Sequence, residues 1–313
     1  MKSALMTLLK KQPQLIILIT MAITFYFLIP SFGTERNLLN ILKTLSILGF
    51  TCLGLSVVMI GGNLDLSVGS TMSCLAVFSV KMQTVSPILG IIVPIIAAIG
   101  IGVLNGGLVY KFKINSIVVT LGTMSILSGL ALLPSNSMSV QGVPGTWYSN
   151  ISGIMFGPVP IYIVYFIVLS VVIFLLLTRT RFGRSLYYMG NNAKAAEIAG
   201  HNVALTTTLS FVICSLCVCF AAIIQSSRML TANPIGGLGL EFEALTAVLL
   251  GGISLKGGKG SVLTALVGIF LLTIIANGMN LFGAAFEYQL MARGILILTA
   301  IIVDAITRYR YEK

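Results

Sequence analysis

Apolar runs of close to twenty residues recur along this chain from about residue 14 to residue 306, and most of its charge lies in the gaps between them. About 20 apolar residues are what a helix needs to cross roughly 30 Å of hydrocarbon. Of 313 residues, 57% are hydrophobic and 9% are charged, against about 25% charged in a soluble domain. The mean hydropathy is +1.04. This reads as an all-α integral membrane protein, with residues 1–313 forming a single transmembrane domain.

The runs predict about ten spans, at roughly 14–30, 42–60, 66–80, 87–110, 114–133, 158–178, 205–228, 243–255, 261–281 and 287–306. The third and eighth are short enough to be half-helices or re-entrant segments. Ten crossings place both termini on one side. The basic residues then sort with them: Lys2, Lys10 and Lys11; Lys111 and Lys113; Arg179, Arg181, Arg184 and Lys194; Lys256 and Lys259; Arg308, Arg310 and Lys313. The positive-inside rule makes that side the cytoplasm. The net charge of +11 therefore sets topology and forms no patch for nucleic acid. The start of the chain resembles a signal peptide, but no small-residue cleavage site follows Gln14–Pro30, so a retained first span is expected.

Catalytic chemistry finds little to use. The only histidine is His201, in a polar loop, and all five cysteines (Cys52, Cys74, Cys214, Cys217, Cys219) fall in apolar runs. Those thiols read as small buried hydrophobes, with no metal site or disulfide framework implied. Leu133–Pro158 has no ionisable side chain and holds the only tryptophan, Trp147. It reads either as a turn-rich connection with an interfacial anchor or as a surface for an external partner.

Three segments break the apolar pattern. Residues 179–204 are the one long charged loop, and they spell a short helix: Asn192 suits an N-cap, Ala193–Ala199 favour helix, and Gly200 stands where a C′ glycine would. Such a helix is too short to be stable alone in water, so something should dock on it. In GGNLDLSVGS at 61–70, Gly61 and Gly62 permit a tight turn, and Asp65 with Ser67 suits the cap of the helix that follows. In GGISLKGGKGS at 251–261 a phosphate-binding loop is only superficially present, because Ile253 and Gly260 stand where a glycine and a hydroxyl residue are required. The chain is not expected to bind ATP itself. Two internal echoes, Asn105-Gly106 with Asn277-Gly278 and Gly61-Gly62 with Gly251-Gly252, imply conflicting offsets and do not establish a duplication.

These three motifs, in this order, resemble the membrane permeases of bacterial ABC sugar importers, and nearly the whole chain shares the likeness. The nearest branch is the ribose type, which also holds galactose, xylose, inositol and autoinducer permeases. One departure is Asn63-Leu64, where the family commonly has a single residue before the aspartate. The resemblance implies a subunit of the bacterial inner membrane that is not an enzyme and carries no cofactor. Two permease chains would form the path, as a homodimer or heterodimer, cytoplasmic ATPase subunits would supply energy, and a periplasmic protein would deliver a monosaccharide or similar polyol. It further implies that Asn191, Asn192, Ala195, Ala196, Glu197 and Gly200 form the helix that couples to the ATPase. Asn105, Asn277 and Asn280 are candidates to line an uncharged path, or else to bond helices together. An ion-coupled secondary transporter of a small polar solute is the alternative; Asp65 would then carry the coupling.

Overall fold

The computed structural model describes residues 13–311, and every one of the ten apolar runs is helical in it. The first half holds α1 (Pro13–Leu28), α2 (Glu35–Ile60), α3 (Val68–Gln83), α4 (Leu89–Phe112) and α5 (Ser116–Leu132). A connection with short pieces follows: β1 (Val140–Gln141), α6 (Asn150–Gly153), β2 (Met155–Phe156) and β3 (Val159–Pro160). Next come α7 (Ile161–Arg179), α8 (Arg181–Asn191), α9 (Ala193–Ile198) and α10 (Val203–Met229). The chain finishes with β4 (Thr231–Ala232), α11 (Leu240–Leu250), α12 (Val262–Leu281) and α13 (Phe286–Tyr311).

Among the described residues five helices, α2, α4, α7, α10 and α12, are long and apolar enough to cross a membrane. Helices α3 and α11 have 16 and 11 residues, about 24 and 17 Å at roughly 1.5 Å per residue. Both fall short of 30 Å, as the short third and eighth runs predict, and each is preceded by non-helical chain. The expected placement of the termini rests on Lys2, Lys10, Lys11 and Lys313, which lie outside the described residues, as do the side chains of Arg308 and Arg310.

The core is organised around α10, whose Phe211, Cys214, Val218, Ala221 and Ala222 are fully or almost fully buried. Its neighbours reach it through small residues. On α4, Ala98, Gly102 and Gly106 recur every fourth position and so share one face. A Cβ on Gly102 would lie 2.7 Å from Val212 N, and one on Gly106 would lie 3.2 Å from Thr208 N. On α2, Gly54 meets the Cys214 carbonyl and Cys217 Cβ, each at 2.9 Å from where a Cβ would stand. Without a hydrophobic force between helices in lipid, such backbone-to-backbone contact supplies the dispersion that holds them. All five cysteines are free and buried, in keeping with their reading as small hydrophobes.

At the end of the bundle away from the basic loops, the 133–160 connection is stapled down. The Gln83 side chain accepts from Val143 N (2.9 Å) and donates to Val143 O (2.9 Å) and Thr146 Oγ1 (2.8 Å). Tyr148 is fully buried and shares a 2.5 Å hydrogen bond with Ser79 Oγ, while β1 pairs antiparallel with β4. Trp147 stays about half exposed.

Replacing Gly106 or Gly102 by leucine is expected to destabilise the protein by about 1–3 kcal/mol through overpacking. Gly107, with open space where its Cβ would be, is the control. Thermal unfolding of the detergent-solubilised protein should show a lower Tm for the first two and none of that drop for Gly107→Leu.

Candidate functional site

Between α2 and α3 the chain is non-helical through residues 63–67, although Asp65 and Ser67 are buried. The Leu64 and Leu66 amides have no helix to satisfy them, and α5 supplies the partners. Ser116 Oγ accepts from Leu64 N (3.0 Å), and one helical turn on Thr120 Oγ1 accepts from Leu66 N (3.1 Å). The Asp65 carboxylate accepts from Ser67 N (2.9 Å) and Ser67 Oγ (2.5 Å). Asn105 Nδ2 then donates to Ser67 Oγ (3.3 Å), and Asn105 Oδ1 accepts from Thr123 Oγ1 (2.6 Å). Asp65 therefore does not cap α3, as its sequence position suggests. The N-cap is Ser67, which makes no side-chain cap bond because Asp65 has turned back on it.

The three sequence motifs meet at the basic end of the bundle. The glycine-rich loop 251–261 reaches α2 through Gly258 N, which donates to Ile60 O at 2.8 Å. Gly257 (φ +87°) and Gly258 (φ +71°) adopt the left-handed conformation, which glycine enters at little cost. Space forbids side chains as well: a Cβ on Gly257 would reach Gly62, and one on Gly258 would reach the Asn191 side chain. Gly190, at the end of α8, is wedged so closely that a Cβ would collide with Ile60 O and Gly258 N. Tyr187 Oη donates to Gly260 O at 2.9 Å, and burial raises its pKa above the ordinary phenol range, which keeps it a donor.

The paired glycines that echo each other in sequence turn out to be helix ends. Gly62 N and Asn63 N close onto Met59 O and Val58 O at the end of α2; Gly252 N and Ile253 N close onto Leu249 O and Val248 O at the end of α11. Each second glycine has positive φ, the Schellman pattern. A shared capping chemistry accounts for the likeness.

From this junction α8 and α9 project. Helix α8 buries Gly183, Leu186 and Met189 on one face and exposes Arg181, Arg184 and Tyr188. Helix α9 has six residues, about 9 Å, and its caps compensate for that. Asn192 Oδ1 accepts from Ala195 N (3.0 Å). At the other end Gly200 N reaches Glu197 O and His201 N reaches Ala196 O, each at 3.0 Å, with Gly200 at φ +85°. The expected ends of this helix are thus present in the structure. Ala196 is the one buried α9 residue and faces the protein, whereas Ala195 and Glu197 face outward and Ile198 is 80% exposed. His201 is half-buried, bonded to Ser185 Oγ (2.7 Å) and tilted against Tyr188.

The candidate path asparagines sit in hydrogen-bonded pairs. Asn105 is fully buried in the network above, Asn277 and Asn37 exchange bonds of 2.8 and 3.0 Å, and Asn280 accepts from Gln289 Nε2 at 2.9 Å. Two features escape a reading of the sequence. Glu241 is buried at the start of α11, its carboxylate accepting from Gly239 N and lying against Gly69; an acid beside an apolar run is the signal that marks it. Glu243, one turn-half further on, is ion-paired to Arg293 at 2.6 Å.

Comparison with known proteins decides the class. The family described as branched-chain amino acid transport system / permease component matches residues 37–301. The ribose import permease protein of Bacillus subtilis is 34% identical over 282 residues, covering 88% of this chain and 86% of the relative. The chain belongs to this permease family. The ribose import permease protein of Escherichia coli K12 is 31% identical over 305 residues, with 95% of this chain and 94% of the relative covered. The L-arabinose transport system permease protein of the same strain is 33% identical, with 95% and 90% covered. No solved structure matches. The permease thus falls in the ribose-type branch of ABC permeases, multi-pass proteins of the inner membrane.

In the permease, Gly190→Ala is expected to force Ile60 and Gly258 apart. Hydrogen exchange read by mass spectrometry should then show faster exchange of the Gly258 amide and of the 257–260 segment. Ala195→Gly, outside the junction, should leave that protection unchanged.

Proposed function

We propose that the permease is the membrane subunit of an ATP-driven importer that moves a monosaccharide or similar small polyol inward by alternating access. The observation that carries this is the exposed, doubly capped α9, rooted in a junction that holds α2, α8 and the 251–261 loop together. An exposed isoleucine on a two-turn helix that cannot persist alone calls for a partner, and a cytoplasmic ATPase subunit supplies one. In this reading ten spans place both termini and the 179–204 loop in the cytoplasm, following the positive charge. Asn191 and Asn192 anchor the coupling helix, Ala195, Glu197 and Ile198 meet the ATPase, Ala196 seats the helix on the permease, and Gly200 ends it. Gly61, Gly62, Asp65 and Ser67 carry its displacement into α2 and α3.

The remaining partners follow from the same scheme: a second permease chain, a periplasmic binding protein and lipid. Sugar is favoured as cargo because the near full-length relatives are named ribose and L-arabinose permeases. Asn105, Asn277 and Asn280 act here as ties between helices, each already holding a partner. ATP shifts the access equilibrium only through a difference in ATPase contacts between the two states.

Two outcomes test the proposal. Proteoliposomes holding this chain alone should show no concentrative sugar uptake under an ion gradient; uptake there would replace the scheme with an ion-coupled carrier. In the complete transporter, Ala195→Glu should lower uptake about tenfold, as loss of ~1.4 kcal/mol at the docking surface would, with membrane insertion intact. Unchanged uptake would remove α9 from the coupling role. Ala196 is unsuited to this test, since a charge there meets the permease's own packing.

A further inference from the structure

We propose that a cavity between α3, the far end of α10 and the 231–237 strap is a sugar-contacting site of the permease, with Gln225 and Asn233 reading the sugar's hydroxyls. This rests on the sugar-importer reading above. The cavity measures about 220 Å³, below the roughly 300 Å³ at which sites for drug-sized ligands begin. That size suits a small molecule. No charged side chain lines it; Ser73, Gln225, Thr231 and Asn233 supply the polar groups, and Met72 and Ala76 an apolar wall. A neutral ligand with both hydroxyls and C–H faces fits such a lining.

Gln225 is the deciding residue. It lies within a helix apolar enough to span the membrane, is half-buried, and its carboxamide has no hydrogen-bond partner among the described residues. An amide without a partner costs a few kcal/mol in an apolar setting, so polar residues of spanning helices normally face partners or a path. Asn233 is arranged to complement it. Its Oδ1 is used by Ile235 N at 3.1 Å, which leaves the Nδ2 donors for a ligand. The carboxamide of Gln225 offers both a donor and an acceptor, the pair that a hydroxyl answers.

The cavity is closed on its inner side by backbone. Gly237 N donates to Ser73 Oγ at 2.8 Å, and Gly237 and Gly69 approach so closely that a Cβ on either would strike the other's carbonyl. Parting of α3 from the strap is the movement that would let cargo pass. A ligand resting above this contact meets Gln225 and Asn233 first.

The test uses the whole transporter, with its ATPase and binding protein, in proteoliposomes and a panel of pentoses, hexoses and their monodeoxy analogues. Gln225→Leu and Asn233→Ala are compared with wild type. Each is expected to lower uptake kcat/KM for the best sugar about three- to tenfold, the effect of one neutral hydrogen bond. Wild type should penalise one deoxy analogue that Gln225→Leu no longer penalises, a change in ranking that damaged packing does not produce. Equal loss for every sugar, or no loss in either variant, overturns the site. Asn233 is exposed, so its variant reads out even if Gln225→Leu folds poorly. A wild-type transporter that concentrates no sugar of the panel overturns the sugar-importer reading itself, with the site.

Discussion

The interaction on which the rest depends is the pairing of backbone amides that have left a helix inside the bundle. Where α2 ends and α3 has not begun, Leu64 and Leu66 donate to Ser116 and Thr120. An unpaired amide in such a setting costs several kcal/mol. Two hydroxyls one turn apart on α5 remove that cost. Because the break is stable, α3 can be a half-helix, and because α3 is short, its first turn faces Gly237 rather than another spanning helix. The site proposed around Gln225 exists only in that arrangement.

At the basic end the logic is reversed, and backbone meets backbone directly at Gly62, Gly190 and Gly257. Gly62, Gly190, Gly257 and Gly258 bring three separate stretches of chain to backbone contact. A contact without rotatable side chains has few ways to yield, since packed interiors respond to sub-ångström changes. In the proposed scheme, a movement imposed at α9 would reach Ile60 and the 251–261 loop together. Asp65 takes part as an organiser of Ser67 and, through it, Asn105.

Much of this was legible in the sequence, for physical reasons that differ by region. The apolar runs announced every long helix because burial in lipid demands length and composition together. The Asn192 and Gly200 caps of α9 were readable because capping is local chemistry. What stayed hidden was long-range: that Asn191 meets Gly258, that Ser116 serves Leu64, or that Asp65 turns back on Ser67. None of these contacts leaves a periodicity. Gln225 stands plainly in an apolar run and Glu241 just before one, yet the burial of Glu241 against Gly69 and the opening of Gln225 onto a cavity arise only once α3 and the 231–237 strap converge on them. The paired glycines, whose echo establishes no duplication in the sequence, are explained by their shared role, since identical helix caps produce identical dipeptides without common descent.

The seam between α4 and α10 has a mechanical consequence. Helix α10 is 27 residues long, about 40 Å, and joins α9 through four residues, 199–202. Its near half is held to α4 by glycine against backbone at Gly102 and Gly106, so the two helices form a stiff double rod. Gln225 stands close to the far tip of that rod. A small tilt imposed at α9 would swing the tip through a larger arc, and the bundle would turn a short stroke at one membrane surface into a wider one at the other.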